Sequence, residues 1–310
     1  MSLTRTFFLA LSRSERLQQM ALGFGPARSL ARRFTAGDTL EEAIAAVQEL
    51  NRQGLLATLD HLGESVTSET EARDATTAIL DLLDAIEAGG IQPGISVKLT
   101  QLGLEVDAAL AAENLQRIVA RASDAWRFVR IDMENAEYVQ QTLDLFEALW
   151  AQYRNVGVVI QSYLRRSAGD VARLVHLGAS VRLVKGAYDE SPDVAFANSA
   201  EIDASFNQLM EQLFSDEAQA NGVFPAIATH DANLIDRTKA YADRRSVARD
   251  SFEFQMLLGV RSRLQQQLVA DGYRVRAYVP YGEQWYPYLM RRLAERPATA
   301  YLLLRNLIRS

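Results

Sequence analysis

Two cations stand inside apolar runs. Arg182 lies between Val181 and Leu183 in SVRLVK, and Lys98 occupies a similar place in ISVKLTQL. Burying either charge unpaired costs several kcal/mol, so each needs an acceptor. One reading is an internal ion pair with Asp132; the other is a pair of fixed cations for an anionic or electron-rich ligand. A second basic pair, Arg291 and Arg292, falls in YLMRRLAE. At helical spacing both arginines share an arc of roughly 100° with Tyr288 and Glu295. That arc is either the solvated side of an amphipathic helix or a forked clamp for a carboxylate. Other chemistries are poorly supplied. The chain has no cysteine, which removes a disulfide scaffold, a thiolate metal site, a cysteine nucleophile and a cysteinyl link to a flavin. His61, His176 and His230 are the three histidines, with no H-x-x-x-H, so no metal site is expected. G-x-S-x-G, the setting of a serine nucleophile, is missing too. Redox chemistry would therefore have to come from a bound cofactor.

The elements that must position these residues are short apolar runs bounded by turn residues. Strands are predicted at Leu55–Asp60, Ile95–Leu99, Phe128–Met133, Val156–Gln161, Ser180–Lys185, Pro225–His230, Ser251–Met256 and Arg274–Val279, with helical periodicity between them. Strand–helix alternation repeated in this way is the sequence form of an α/β barrel, (β/α)8. A doubly wound sheet is disfavoured because neither G-x-G-x-x-G nor G-x-x-x-x-G-K-[ST] occurs. Polar residues gather near the strand ends: Asp60, Lys98, Asp132, Gln161, Arg182, Lys185, Thr229, His230, Glu253, Gln255 and Tyr278. Any one could be a satisfied strand-edge charge, but their recurrence reads as the lining of one pocket. Residues 1–50 form a helical arm, residues 51–310 the barrel with its C-terminal helices, and the helix from Trp285 can cap the barrel mouth. A net charge of −6 argues against nucleic acid as a partner. No apolar run approaches the roughly 20 residues of a membrane span, and the run FFLALS is too short for a signal peptide, so a cytoplasmic protein is expected.

Four motifs occur in order: RLVKGAY (Arg182–Tyr188), ATH (Ala228–His230), FEFQ (Phe252–Gln255) and Y-x-x-R-R-L (Tyr288–Leu293). Together they resemble the proline dehydrogenase family from about Thr58 to Glu295, in its monofunctional bacterial form. The resemblance implies a distorted TIM-like barrel, with non-covalent FAD at its C-terminal face and the last helix over the mouth. It implies oxidation of L-proline to 1-pyrroline-5-carboxylate, the first step of proline catabolism. Hydride would pass from proline C5 to flavin N5, and electrons would go on to a membrane quinone. A pyrroline-5-carboxylate dehydrogenase would act downstream. Carried over, Arg291, Arg292 and Lys98 bind the proline carboxylate, while Leu257, Tyr278 and Tyr288 shape the pocket. Asp132 holds the hydrogen-bond network and Arg182 sits near N5. Met133, Gln161, Lys185, Gly186, Ala187, Thr229 and His230 match flavin-contacting positions; which of Glu253 and Gln255 touches a ligand stays open. Glu64, in DHLGES, is either a gate that pairs with Arg291 or an exposed loop acid. Peripheral membrane contact, if a quinone is the acceptor, would fall to RTFFLALSR or YLLLRNLIRS, for which ordinary packing is the alternative. A competing function on the same barrel is a phosphate-sugar aldolase or isomerase, with Lys98 or Lys185 as the reactive amine and Arg291/Arg292 on phosphate. A third is a non-enzymatic binding barrel for a small carboxylate.

Overall fold

The computed structural model describes residues 25–63 and 65–295. Glu64, RTFFLALSR and YLLLRNLIRS lie outside the described residues. Eight parallel strands close into a barrel in sequence order: β1 (Leu56–His61), β2 (Gly94–Val97), β3 (Val129–Ile131), β4 (Val156–Gln161), β5 (Ser180–Val184), β6 (Phe224–Ala228), β7 (Glu253–Leu257) and β8 (Val275–Tyr281). β8 pairs back onto β1 from Leu56↔Arg276 to His61↔Tyr281, which closes the sheet and leaves no edge. Helices form the outer layer: α1 (Gly25–Ala31), α2 (Leu40–Arg52), α3 (Glu69–Ala88), α4 (Ala108–Asp124), α5 (Val139–Trp150), α6 (Ser167–His176), α7 (Ser199–Leu213), α8 (Asp216–Ala220), α9 (Ala232–Arg244), α10 (Ser262–Ala270) and α11 (Trp285–Glu295).

Local chemistry explains the boundaries. Thr39 and Glu42 make a reciprocal capping box at the start of α2, and Ser68, Asp107, Asn198 and Asp231 each accept a backbone N–H at a helix start. The helices bury one stripe against the sheet, as Ile79, Leu82, Leu83 and Ile86 do on α3. α2 runs through residue 50 and packs on β1 and β8. The segment after α1 is tied to the end of β8, with Ala36 N–H donating to Pro280 O at 2.8 Å and Gly282 N–H to Gly37 O at 3.0 Å.

All eight expected strands exist, and the limits of β4 coincide with the expected ones. One placement is corrected. Glu253 does not lie toward the C-terminal end of its strand: β7 begins at Glu253, because the chain turns at Ala248–Ser251 just before it. Glu253 therefore belongs to the floor of the barrel, not its mouth.

Candidate functional site

The barrel interior is unusually polar for a fold whose interior is filled mostly by branched apolar side chains. At the floor, buried Glu253 accepts from Arg276 at 2.7 Å (Nε) and 3.1 Å (Nη2), and Gln255 donates to the same carboxylate at 2.5 Å. Gln255 is thereby turned toward the floor as well. Arg130, fully buried, donates to Val158 O, Ser180 O and Ser180 Oγ. It occupies the space left by Gly157, where an added Cβ would fall 2.5 Å from Arg130 Nη1. Burial, and then the charge of Arg182, holds Arg130 well below the ordinary arginine pKa.

Toward the mouth the polar chain continues, and the two strand cations both lie in ion pairs with Asp132. Asp132 accepts from Arg182 Nη1 at 2.7 Å through Oδ1 and from the Tyr278 hydroxyl at 2.7 Å through Oδ2. Arg182 also donates to Ser96 Oγ at 3.1 Å, and its guanidinium lies 5.2 Å from the centroid of the Tyr278 ring. Lys98, just past the end of β2, donates to Asp60 at 2.9 Å and to the Tyr278 hydroxyl at 3.4 Å. Its Nζ is 3.7 Å from Asp132 Oδ2. Burial, followed by the neighbouring Asp132 charge, pushes the Tyr278 phenol far above its ordinary pKa, so the hydroxyl keeps its proton and remains a donor.

α11 crosses this end of the barrel. Arg291, Pro287 and Gln284 line a narrow slot with Lys98, Leu62 and Gly63. A helix contributed by the segment after β8 thus meets the cation contributed by β2. Tyr288 is buried, and the Arg292 guanidinium lies 5.1 Å from the centroid of its ring. The two arginines therefore differ in their surroundings: Arg291 lines the slot and Arg292 stacks on the tyrosine.

The residues matched to a cofactor sit on the other side of the mouth, at or just beyond the ends of β3 to β6. Gln161 donates to Met133 O at 3.2 Å and Glu134 O at 3.3 Å, which turns its Oε1 away from both; that oxygen is buried and has no hydrogen-bond partner among the described residues. Arg182 Nε is in the same condition. His230 Nε2 accepts the Leu257 N–H at 3.0 Å. Thr229 Oγ1 accepts the Asp231 N–H at 3.1 Å. Lys185 is held between Asp203 at 2.6 Å and Asp231 at 2.9 Å. Burial works against its charge, but the bonds to the two carboxylates outweigh it and raise the ammonium pKa. Both candidate amine nucleophiles, Lys98 and Lys185, are thus ion-paired, an arrangement that opposes Schiff-base chemistry. Gly186 has φ +103°, and a Cβ there would fall 2.1 Å from the Tyr163 ring, so only glycine fits. Ala187, the next residue, is half-buried.

Several partners are not evident as site residues from the sequence. Ser96 holds Arg182, Tyr163 packs on Gly186, and Asp203 on α7 and Asp231 just before α9 fix Lys185. Asp60 is read from the sequence as pocket lining, but nothing in a linear reading joins it to Lys98, the residue that it holds.

Known proteins share this chain's sequence and its barrel. The sequence profile of the family described as "Proline dehydrogenase" matches residues 43–302. "Proline dehydrogenase 2" of Bacillus subtilis (strain 168) is 42% identical over 296 residues, covering 96% of this chain and 96% of that protein. "Proline dehydrogenase" of Deinococcus radiodurans is 39% identical over 304 residues, again with 96% of each chain covered. Among solved structures, proline utilization A (PutA) from Bdellovibrio bacteriovorus, inactivated by N-propargylglycine, superimposes with a TM-score of 0.80 at 27% identity. That match covers 86% of this chain and 32% of the other, so this chain corresponds to about a third of that protein.

Proposed function

Because the chain belongs to the proline dehydrogenase family, we propose that it oxidises L-proline to 1-pyrroline-5-carboxylate on a non-covalently bound FAD and passes the electrons to a quinone. The observation that carries this reading is the Lys98–Asp132–Arg182–Tyr278 network, buried or half-buried at each residue, opening beneath Arg291. It combines fixed cations for a carboxylate with a cation suited to charge that develops during hydride transfer.

The residues on the β3–β6 side suit a flavin. Gln161 Oε1 is an unmet acceptor for a ring N–H, and Arg182 Nε is an unmet donor for an electron-rich ring edge. Gly186 and Ala187, after β5, offer little side-chain bulk to a planar group, while Met133 follows β3 and Thr229 and His230 follow β6 at the same end of the barrel. Bound there, FAD would supply the two-electron acceptor for the hydride leaving proline C5. The absence of cysteine leaves non-covalent binding or another attachment chemistry.

The protein's own part is positional and electrostatic. Lys98, Arg291 and Arg292 would hold the substrate carboxylate, which orients the five-membered ring. Tyr288, Leu257 and Tyr278 would shape the space around it, with Tyr278 kept protonated and donating to Asp132. Asp132 also fixes the plane of the Arg182 guanidinium, so this positive charge needs no reorganisation when negative charge appears beside it. Glu64 would pair with Arg291 as a gate that excludes water. Membrane contact would be peripheral and transient in an otherwise cytoplasmic protein: among the described residues no helix is long and apolar enough to cross a membrane. A separate pyrroline-5-carboxylate dehydrogenase would consume the product.

The test is optical. Purified protein should carry a visible flavin absorption that bleaches anaerobically on addition of L-proline and returns on addition of a soluble quinone. A colourless protein that still oxidises proline would overturn the cofactor assignment. A flavin not reduced by proline would overturn the substrate.

A further inference from the structure

We propose that Asp60 is a positioning residue for substrate binding: it pins the Lys98 ammonium at the slot beneath α11 and keeps it from collapsing onto Asp132. The inference rests on the reading of Lys98 as a ligand of the substrate carboxylate.

Four charges alternate across the barrel at this level: Asp60, Lys98, Asp132 and Arg182. Their bonds are unequal. Asp132 is fully engaged, with one oxygen on Arg182 and the other on the Tyr278 hydroxyl, each at 2.7 Å. Lys98 stands 3.7 Å from that second oxygen, beyond hydrogen-bond distance, but 2.9 Å from Asp60. Among the described residues the carboxylate at hydrogen-bond distance from the lysine is Asp60, on β1, while Asp132 stays within ion-pair range. Asp60 is 1% exposed, and Lys98 donates the hydrogen bond that its carboxylate receives there. A carboxylate so deeply placed is tolerable because it is paired.

The geometry matters because lysine is a point charge on a four-carbon stem with little orientational preference of its own. Freed from Asp60, its Nζ has a nearby alternative in Asp132 Oδ2, reached by a shift of less than about 1 Å to hydrogen-bond distance. That shift would have three effects. It would draw the cation away from the residues it shares with Arg291, compete with the Tyr278 hydroxyl for Asp132, and disturb the anchor of Arg182. Asp60 thus separates two duties. Lys98 serves the carboxylate end of the substrate, and Asp132 serves Arg182 and Tyr278.

The experiment uses the full-length holoenzyme, L-proline and cyclopentanecarboxylate, a carboxylate of the same ring size with no amine to oxidise. Lys98→Met, Asp60→Asn and the double variant are compared by steady-state kinetics and by equilibrium displacement of proline. Asp60→Asn keeps the size and an acceptor oxygen but removes the charge. It should raise KM for proline and Kd for cyclopentanecarboxylate about tenfold, with kcat changed much less, as loss of a charge-assisted contact predicts. In the Lys98→Met background the same change should cost no further affinity, because its route through Lys98 is gone. Lys98→Met leaves the Asp60 carboxylate buried and unpaired; if that variant is unstable, Lys98→Gln, which keeps an N–H donor for Asp60 without the charge, replaces it in both arms of the cycle.

The outcomes separate the two readings. If removing Lys98 leaves both affinities unchanged, the assignment of Lys98 to the carboxylate fails. If removing Lys98 weakens binding but Asp60→Asn does not, or does so equally with and without Lys98, the positioning role alone fails.

Discussion

At the floor of the barrel Glu253 and Arg276 satisfy one another through two hydrogen bonds, and Arg276 spends a further donor on Ala57 O at 2.8 Å. At the mouth Asp132 joins Arg182 and Tyr278, but the adjoining cation, Lys98, borders a slot lined by residues of α11. The residue types are the same, a carboxylate against a cation with one of each pair fully buried, and the two sets lie close together along the strands. What differs is whether the charge set is closed. The closed pair at the floor offers nothing to a ligand. The floor keeps one unmet buried atom, Arg130 Nε, packed against the barrel backbone; the mouth keeps two, Gln161 Oε1 and Arg182 Nε, where an unmade hydrogen bond is costly unless something arrives to make it.

The contrast between floor and mouth breaks most visibly if the floor is disturbed. Glu253→Gln leaves the Arg276 charge buried beside a neutral amide and should lower unfolding stability by about 3–5 kcal/mol. Replacing both partners with apolar residues of similar volume, Glu253→Leu with Arg276→Met, should recover most of that loss and retain turnover with proline. The pH dependence carries a sign. Burial opposes ionisation of Glu253, but Arg276 overrides it and its folded pKa lies below the ordinary glutamate value. The carboxylate therefore contributes stability above the unfolded glutamate pKa and loses that contribution as pH falls through the lower folded value. The gap between wild type and Glu253→Gln should narrow on acidification in chemical denaturation. A gap that stays constant to low pH would show that this pair is not closed as described.

The same type of truncation at the mouth should spare stability more than chemistry. Arg182→Met removes the cation expected beside the cofactor and should slow flavin reduction by proline by about a hundredfold, the scale of losing one preorganised donor. It should also lower the flavin reduction potential while weakening proline binding less. Rapid-mixing absorbance and a potentiometric titration measure both. Wild-type reduction rate with unaltered potential would move Arg182 into the company of the floor arginines. A smaller effect belongs to the clamp: Arg291→Met or Arg292→Met should each weaken apparent proline affinity about tenfold, with flavin content retained. The two need not be equal, since Arg292 stacks on Tyr288 and its loss would also loosen that ring.

Legibility from the residues follows the same division between the two ends. β4 is legible to its limits because VGVVIQ is a continuous apolar run after Asn155, and Arg182 stands out because it interrupts such a run. Strand order and closure follow from alternation alone. The floor is not legible. Arg130 and Arg276 alternate with apolar residues in FVRIDM and RVRAYV, a pattern equally suited to either face of a strand. The clue lies in Gly157, a glycine inside an apolar strand that marks close approach by another group, here Arg130. Glu253 is misplaced by the strand boundary, since starting β7 at Ser251 moves the acid toward the wrong end. Asp60–Lys98 and the Lys185–Asp203–Asp231 cluster join segments far apart in sequence, and pairings of that kind depend on register and loop course.

The smallest expected effect sharpens the contrast between the two ends of the barrel at a single turn. Helices leading down to the floor end repeatedly in glycine with positive φ, at Gly54, Gly90, Gly178, Gly222 and Gly272. After α4 the same position is Trp126, with φ 56° and 92% of its surface exposed. The turn is otherwise the ordinary helix-ending arrangement, with Trp126 N–H donating to Ser123 O at 3.0 Å and Arg127 N–H to Ala122 O at 2.7 Å. A side chain with a Cβ is strained in the left-handed region, and this indole recovers little by burial. Trp126→Gly should therefore stabilise the protein by about 0.5–1 kcal/mol, the relief of strain exceeding the extra entropy glycine gives the unfolded chain. Because this turn leads into the floor end of β3, proline turnover and flavin content should not change. A urea midpoint that rises with unaltered kinetics would show that the floor can be edited independently of the mouth. A lower midpoint would assign the indole a stabilising contact at this end, and a change in turnover would couple the closed floor to the open mouth.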